Sequence, residues 1–209
     1  MNREHFRFVD SPVVRALLVP VKSFTAAKVR LAPVLAPDER RLLARQLAEG
    51  VLAAAGDLVP FVVCEDDAVA RWARALGAGV LCNPGVGLSP AVNAGVAELA
   101  RRGYASAVVA HADLARPEGV HTIALDGAVV LVPDLRDDGT NVACVPTAAG
   151  FRFSYGAGSF DRHRSEARRL GLPCVVVRDR RLAADVDHPE DLRFVDRSWM
   201  GTPAELAAP

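Results

Sequence analysis

Two aspartates near the end of the chain, Asp185 and Asp187, are separated by a single residue. In an extended chain the side chains alternate between two faces, so both carboxylates would point to the same side. Two like charges held this close repel each other, and a divalent cation that prefers oxygen ligands would relieve the repulsion. An acidic loop that caps a helix beginning near Pro189 explains the same residues. The pair therefore predicts either part of a metal site or a helix cap.

A third aspartate has a comparable setting, because Asp113 follows the strand-like stretch 106–110 after two residues. In α/β folds the carboxyl ends of parallel strands form the edge at which ligands bind. Three carboxylates at such an edge would suit metal-assisted chemistry on phosphates. Asp113, Asp185 and Asp187 are therefore the candidate ligands of a divalent cation.

The loop that follows the first predicted strand contains three cations, Lys22, Lys28 and Arg30. Both lysines of the chain lie in this loop, whereas the sequence contains 23 arginines. Three positive charges would neutralise the phosphates of a nucleoside triphosphate. Neither the P-loop pattern nor the dinucleotide-binding fingerprint is present. A solvated basic loop is the alternative.

A glycine-containing segment, 153–160, leads directly into a predicted helix. Glycine lets a ligand approach the backbone closely, as at Gly156, and the first amides of the helix, beside Ser159, attract a phosphate or a carboxylate. The hydroxyl of Thr140, in an upstream turn, could reach the same pocket. A plain helix cap with Ser159 as the capping residue is the alternative.

A second loop, 83–90, also precedes a helix, for which Ser89 and Pro90 give a start signal. In a nucleotide-binding α/β domain such a loop, here with Gly87 and Ser89, lies where a base or a ribose is recognised. An ordinary turn with a helix cap explains the loop equally well.

The composition is that of a soluble globular protein. The 209 residues are 51% hydrophobic and 24% charged, with a formal net charge of zero. A neutral chain is not expected to bind nucleic acid or a membrane surface through its overall field, and no apolar run approaches the roughly 20 residues of a membrane span. The charged N-terminus lacks the apolar region of a secretory signal, so a cytoplasmic location is expected.

The four cysteines are scattered singly, so neither a zinc site nor a redox motif is expected. Cys64, Cys144 and Cys174 are predicted to be small buried residues of strands. Of the five histidines, His111 and His163 lie nearest the candidate site residues, and structural roles are favoured for both.

Strand-like and helix-like segments alternate along almost the whole chain. The predicted strands are 13–19, 59–64, 79–82, 106–110, 128–132, 142–145 and 174–177. The predicted helices begin near Pro37, Asp67, Ser89 and Ser159. Continuous Val, Leu and Ala strands indicate a sheet covered by helices on both faces, and the alternation predicts a doubly wound, mostly parallel α/β fold.

We expect a single domain over 13–197, with loose termini at 1–12 and 198–209. Because ligands of doubly wound folds bind at the carboxyl ends of the strands, the same fold places Lys22, Asp113 and Asp187 along one rim.

Taken in their order along the chain, several short motifs resemble those of the CofC/FbiD family. These are the 2-phospho-L-lactate or phosphoenolpyruvate guanylyltransferases of deazaflavin coenzyme biosynthesis. The resemblance covers about 14–195, and its specificity comes from the order of several motifs. These motifs are Val19-Pro20-Val21-Lys22, Ala27-Lys28-Val29-Arg30-Leu31, Ala112-Asp113-Leu114, Asp138-Gly139-Thr140-Asn141, Tyr155-Gly156-Ala157-Gly158-Ser159-Phe160 with Arg162-His163, and Asp185-Val186-Asp187 with Pro189-Glu190-Asp191-Leu192.

The resemblance implies a single-domain nucleotidyltransferase fold of the nucleotide-diphospho-sugar transferase type, similar to the MobA-like molybdenum-cofactor guanylyltransferases. It implies that Mg²⁺ is held by Asp113, Asp185 and Asp187. The phosphates of GTP would face the catalytic cations Lys22, Lys28 and Arg30. The rest of the nucleotide would lie near Gly87 and Ser89, and the small phosphorylated acid would be bound by Thr140, Gly156 and Ser159.

The chain departs from the family in three places. Ala115 stands where the family usually has proline, and Ser89 where it often has asparagine. The connection from Asp113 to the next strand is shorter than usual and lacks most of a helix. Two alternatives to the guanylyltransferase are a nucleotidyltransferase with another acceptor, 3-phosphoglycerate or a sugar phosphate, and a non-catalytic nucleotide-binding paralogue. A homodimer and a downstream transferase are left open as partners.

Overall fold

The apolar segments form one seven-stranded sheet within the residues that the computed structural model describes, 13–25, 27–82 and 87–195. The strands are β1 Arg15–Pro20, β2 Val59–Cys64, β3 Gly79–Cys82, β4 Ser106–Ala110, β5 Val129–Pro133, β6 Thr140–Pro146 and β7 Cys174–Val176. The α-helices are α1 Pro37–Ala53, α2 Asp67–Ala75, α3 Leu88–Arg101 and α4 Ser159–Arg169. The predicted loose termini, 1–12 and 198–209, lie outside the described residues.

The strand order is β3-β2-β1-β4-β6-β5-β7. β6 runs antiparallel to both of its neighbours, β4 and β5, whereas every other neighbouring pair is parallel. This confirms the predicted mostly parallel α/β fold and adds one reversed strand to it.

The two faces of β1 are covered by different helices. Leu17 and Leu18 are adjacent and fully buried, and they point to opposite faces because strand side chains alternate. Leu17 belongs to an apolar cluster with residues of α1 and α2, and Leu18 to a cluster with residues of α3 and α4. Helices therefore pack on both faces of the sheet, as predicted.

The shorter connections contain 3₁₀ turns, which are Val29–Leu31, Val120–Ile123, Thr147–Ala149 and Pro189–Phe194. Between β4 and β5 the structure has the second of these turns and no α-helix. Within the described residues, no helix is long and apolar enough to cross a membrane.

Two predicted helix caps are wrong. Helix α3 is preceded by Gly87, at φ 77°, and helix α4 by Gly158, at φ 69°. A glycine at positive φ can turn the chain sharply into a helix, so the serines lie inside the first turns and neither acts as the N-cap. The Oγ of Ser89 instead accepts a hydrogen bond from the Tyr155 N–H at 2.8 Å.

The prediction for Cys174 is also wrong, because this residue is exposed. It begins β7, which lies at the edge of the sheet and has an exposed Val175 beside it. Cys64 and Cys144 are buried, as expected for residues of interior strands.

Substitution of alanine for each of two helix glycines should change the stability of the protein in opposite directions. A Cβ at Gly95, in α3, would lie 2.9 Å from Leu18 Cδ2, whereas a Cβ at Gly50, in α1, meets Pro117 Cγ at an ordinary 3.7 Å. We expect Gly95→Ala to destabilise the protein by about 1–3 kcal/mol through overpacking. Gly50→Ala, the matched control, should stabilise it by about 0.5–1 kcal/mol through helix propensity. Urea unfolding of both variants measures the difference, and equal effects would contradict the close α3–β1 packing.

Candidate active site

The reversed strand β6 brings the loop before it to the rim where the parallel strands end. Ala110, the last residue of β4, pairs with Val142 near the start of β6. The N–H of His111 donates to the carbonyl oxygen of Asn141 at 3.0 Å. Thr140, which begins β6, therefore lies beside the segment that continues from β4 to Asp113.

A short antiparallel contact joins the two aspartate segments. Asp185 pairs with Leu114 as an isolated β-bridge, and the Val186 N–H donates to the Asp113 carbonyl oxygen at 3.0 Å. Val186 is fully buried in an apolar cluster. The alternation of side chains along this extended stretch directs Asp185 and Asp187 together to the other side.

The helix-cap alternative for this pair is wrong. The 3₁₀ turn that begins at Pro189 is capped by Asp191, whose Oδ2 accepts from the N–H groups of Asp187 at 3.0 Å and His188 at 2.7 Å. The side chains of Asp185 and Asp187 do not make this cap and contact other groups.

Asp113 forms an ion pair with Lys28, with 2.5 Å between Oδ2 and Nζ. The Lys28 side chain is only 8% exposed, and its backbone is in the left-handed region at φ 56°, which is uncommon for a non-glycine residue. Burial of Asp113 opposes its ionisation, but the charges of Lys28 and His111 outweigh burial and hold the pKa of Asp113 below its ordinary value.

The other two aspartates have different partners. Asp185 Oδ1 accepts from Asn141 Nδ2 at 3.3 Å, and Asp187 forms an ion pair with Arg30. Burial, followed by the charge of the neighbouring Asp113, raises the pKa of Asp185 above its ordinary value. Asp185 thus shows the like-charge repulsion expected of crowded carboxylates, although the like charge that acts on it is that of Asp113.

The donor set fits a divalent cation, although the described residues contain no group of three or more His, Cys, Asp and Glu side chains arranged as metal ligands. Asp113 and Asp187 are turned toward Lys28 and Arg30. However, Asp113 Oδ1 is buried and has no hydrogen-bond partner, and burial, with the charge of Asp113 second, raises the pKa of Asp185. An unpaired carboxylate oxygen beside a second, strained carboxylate is what a hard cation would stabilise. The metal assignment of these residues stays a prediction.

A cleft of about 270 Å³, here called the lysine cleft, is lined by Lys22, Phe24, Lys28 and Asp113 among others. The ring of Phe24 packs edge-on against Trp72 of α2, with 4.9 Å between the ring centroids. This contact anchors Phe24 against the helix. Lys28 reaches Asp113, while Lys22 is exposed.

A smaller apolar cleft of about 210 Å³ adjoins the lysine cleft and shares Lys22 with it. Gly87 lines this apolar cleft together with Cys64 and Ala91. Ser89, the other residue predicted near the nucleotide, braces the backbone of Tyr155. The two residues therefore have different surroundings in the structure.

A larger cavity of about 540 Å³, here called the aspartate cavity, adjoins the lysine cleft. It brings together most of the predicted site residues, which are Arg30, Asp113, Thr140, Gly156, Ser159, Asp185 and Asp187. Asp113 lines both this cavity and the lysine cleft. A group bound in one space would therefore be close to a group bound in the other.

Arg162 shapes the loop that forms one wall of the aspartate cavity. Its guanidinium donates to the carbonyl oxygens of four consecutive residues, Ser154, Tyr155, Gly156 and Ala157, at 2.6–3.3 Å. In a trans peptide the N–H points opposite to the preceding C=O, so the following N–H groups point away from Arg162.

Two of these N–H groups donate to protein acceptors. The positions of the two acceptors indicate the side of the loop to which its N–H groups point. The Tyr155 N–H donates to Ser89 Oγ, and the Gly158 N–H donates to Asp138 Oδ1 at 3.0 Å. The N–H groups of Gly156 and Ala157 lie between them, and both residues line the aspartate cavity. Adjacent backbone amides of this kind suit a phosphate or a carboxylate.

Sequence reasoning assigned no role in the site to three side chains that organise it, although all three belong to the motifs of the resemblance. Asn141 holds Asp185, Arg162 holds the 154–157 loop, and Asp138 accepts from the Gly158 N–H. The only local signal was their position next to Thr140 or after Ser159. Their partners lie far away in the sequence or depend on the turn geometry, so the residue type alone did not reveal the contacts.

Solved structures of two transferases share this fold. A solved structure from Desulfovibrio desulfuricans G20, described as a nucleotide-diphospho-sugar transferase, superimposes with a TM-score of 0.73 at 18% identity, covering 90% of this chain and 89% of that one. A nucleotidyl transferase from Methanothermobacter gives a TM-score of 0.63 at 16% identity, covering 91% and 99%. These likenesses confirm the predicted fold.

The family model described as "Guanylyl transferase CofC like" matches residues 15–195. A phosphoenolpyruvate guanylyltransferase from Sphaerobacter thermophilus is 40% identical over 185 residues, which cover 84% of this chain and 89% of that protein. A 3-phospho-D-glycerate guanylyltransferase from Phenylobacterium zucineum is 34% identical over 197 residues, covering 88% and 90%. The chain belongs to the CofC-like guanylyltransferase family and is an enzyme of the nucleotidyltransferase class, as the resemblance implied.

Proposed function

We propose that this enzyme transfers GMP from GTP to the phosphate of a three-carbon phospho-acid, phosphoenolpyruvate or 2-phospho-L-lactate, with Mg²⁺ as the cofactor. One observation supports this most strongly: Asp113 lies between the lysine cleft and the aspartate cavity. The first space has the cations that a triphosphate needs, and the second has the backbone amides and hydroxyls that suit a small anion.

In this proposal GTP binds with its phosphates in the lysine cleft and its base toward the apolar cleft beside Gly87. Lys22 and Lys28 neutralise the phosphates, whereas Arg30, which was predicted to face them too, lines the adjoining aspartate cavity and pairs with Asp187. An oxygen of the acceptor phosphate attacks the α-phosphorus in line. A new P–O–P bond forms, the bond between the α-phosphorus and the bridging oxygen breaks, and pyrophosphate leaves.

The acceptor acid occupies the aspartate cavity. Thr140 donates from its hydroxyl, and the wall formed by Gly156 and Ser159 receives the phosphate and the carboxylate. Two anions must meet in this reaction, so the protein contributes positioning and charge neutralisation and makes no covalent intermediate. Asp113, Asp185 and Asp187 would hold Mg²⁺, which would supply charge stabilisation at the reacting phosphates.

Phosphoenolpyruvate is favoured as the acceptor because the relative from Sphaerobacter thermophilus is named for that acid. Its guanylylated product would serve the biosynthesis of the deazaflavin coenzyme F-420. The second candidate acceptor is 3-phosphoglycerate, because the relative from Phenylobacterium zucineum is named for that acid. A sugar phosphate has no such support.

Release of pyrophosphate from GTP tests this function. The purified enzyme is given GTP and Mg²⁺ with no acid, or with phosphoenolpyruvate, 2-phospho-L-lactate or 3-phospho-D-glycerate. We expect release only when a three-carbon phospho-acid is present, and fastest with phosphoenolpyruvate. Release at the same rate without any acid would indicate simple hydrolysis of GTP and would contradict the proposal.

Calorimetry separates the enzyme from a non-catalytic nucleotide-binding paralogue. GTP is titrated into the protein with Mg²⁺ and again with EDTA. The enzyme should bind GTP much more tightly with Mg²⁺, because the carboxylates at Asp113 and Asp185 otherwise repel the phosphates. Equal affinity under both conditions would favour the paralogue.

Loss of the Arg162 guanidinium should weaken binding of the acid. We expect Arg162→Met to raise the KM for the acid by about 10-fold, because the 154–157 carbonyls lose their common donor and the amides of the loop lose their alignment. The KM for GTP should stay unchanged. Arg164→Met is the matched control, since Arg164 is exposed on the same helix and pairs with Asp161 instead. Equal KM values for the acid in both variants would contradict this role.

A further inference from the structure

The buried ring of His163 accepts one hydrogen bond and donates another. His163 lies on α4 and is fully buried. The N–H of Ser154 donates to Nε2 at 2.9 Å, and Nδ1 lies 3.0 Å from Thr140 Oγ1. Because Nε2 accepts a hydrogen bond, the proton of the neutral ring is on Nδ1. Nδ1–H therefore donates to the hydroxyl oxygen of Thr140.

The direction of this bond determines what the Thr140 hydroxyl can do. An oxygen that accepts from His163 keeps its own proton for a different acceptor. Thr140 is only 1% exposed to solvent, and it lines the aspartate cavity. Its proton is therefore available to an anion that binds in that cavity, whereas His163 lies behind it and is not among the residues that line the cavity.

We propose that His163 is a positioning residue for the acceptor acid, because its Nδ1–H holds the Thr140 hydroxyl as a hydrogen-bond donor directed into the aspartate cavity. This inference rests on the proposed function, which supplies the acid as the ligand. It goes beyond the structural role that the sequence favours for His163, since it links the buried ring to the binding of one of the two substrates.

The surroundings of His163 keep the ring neutral. It is packed among the aromatic rings of Phe151, Phe153 and Tyr155, with centroids 5.8, 5.6 and 5.2 Å away. Burial first, and the positive charge of Arg162 second, lower the pKa of His163 to about 4. A ring that is neutral at pH 7 keeps its single Nδ1 proton, so the direction of the bond to Thr140 is constant.

The competing role is a core histidine that only braces the Ser154 backbone. Two substitutions of similar size distinguish the roles, because each preserves one of the two hydrogen bonds. In His163→Asn the amide nitrogen takes the position of Nδ1 and can still donate to Thr140. In His163→Gln the amide oxygen takes the position of Nε2 and can still accept from Ser154, but no donor reaches Thr140.

We expect His163→Asn to keep the KM for the acid within about 3-fold of the wild type, and His163→Gln to raise it by at least about 10-fold. The KM for GTP should be unchanged in both. In a Thr140→Val background the two variants should give the same KM for the acid, because the hydroxyl that distinguishes them is gone. Thermal unfolding of each variant controls for loss of folded protein.

A second readout does not depend on activity. The ¹⁵N chemical shifts of the wild-type His163 ring should show the Nδ1–H tautomer from pH 5.5 to pH 8. An Nε2–H tautomer, or a His163→Gln variant with a lower KM for the acid than His163→Asn, would overturn the inference. Absence of turnover in the wild type with every acid would instead overturn the proposed function, while the tautomer measurement still decides the hydrogen-bond direction.

Discussion

Asp113→Asn is expected to lower kcat/KM by about 10³-fold while the protein stays folded. Asp113 lines both of the spaces that we propose for the substrates, and its unpaired Oδ1 is our proposed ligand for Mg²⁺. Asparagine keeps the size of the side chain but removes the charge, and loss of one preorganised electrostatic group commonly costs 10²–10³ in rate. Steady-state pyrophosphate release, with circular dichroism to verify folding, measures the effect.

Asp126→Asn is the control for this substitution. Like Asp113, Asp126 forms an ion pair, but its partner is Arg15 and the pair lies on the surface, away from the cavities. Removing such a surface pair costs roughly 0–1 kcal/mol of stability and should leave kcat/KM unchanged. If Asp113→Asn retained a tenth or more of the wild-type activity, Asp113 would not belong to the metal site.

Lys28→Met should have the second largest effect, lowering kcat/KM by about 10²-fold or more. Lys28 is the buried cation of the lysine cleft, and its backbone is held at a positive φ that costs of order 1 kcal/mol. Such a conformation persists where the surrounding structure enforces it. Here it places the Lys28 ammonium group next to Asp113. Without Lys28 the phosphates of GTP would face the carboxylates with less compensation.

Lys22→Met provides the comparison, since Lys22 is exposed at the mouth of the same cleft. We expect it to raise the KM for GTP by less than about 10-fold with little change in kcat, because an exposed charge is screened by solvent. Initial rates over a range of GTP concentrations separate the two effects. Similar kinetics for the two lysine variants would show that burial of Lys28 has no special importance.

Much of the fold follows from local patterns in the sequence. The apolar runs predicted all seven strands, and their continuous composition predicted helices on both faces. The direction of β6 could not be predicted from its own residues, because antiparallel pairing with β4 depends on contacts between distant segments. The turn at Asp138 and Gly139, which joins β5 to β6 as a hairpin, was the available signal.

The candidate site was predicted as a set of segments, and the structure adds their pairing. Spacing alone placed Asp185 and Asp187 on one side of the chain. Lys28 and Asp113 are 85 residues apart in the sequence, so their ion pair depends on how the first loop folds over the sheet. The caps at α3 and α4 were misplaced because serine and glycine both begin helices, and the choice between them depends on backbone φ.

Mass spectrometry of the reaction product tests the central claim most directly. The enzyme is incubated with GTP and phosphoenolpyruvate, with Mg²⁺ or with EDTA, and the products are compared with those formed from 2-phospho-L-lactate and 3-phospho-D-glycerate. We predict a new compound with the mass of GMP joined to the acid through its phosphate, formed together with pyrophosphate and only with Mg²⁺. If none of the three acids gave such a compound while GTP stayed intact, guanylyl transfer to a three-carbon phospho-acid would be contradicted.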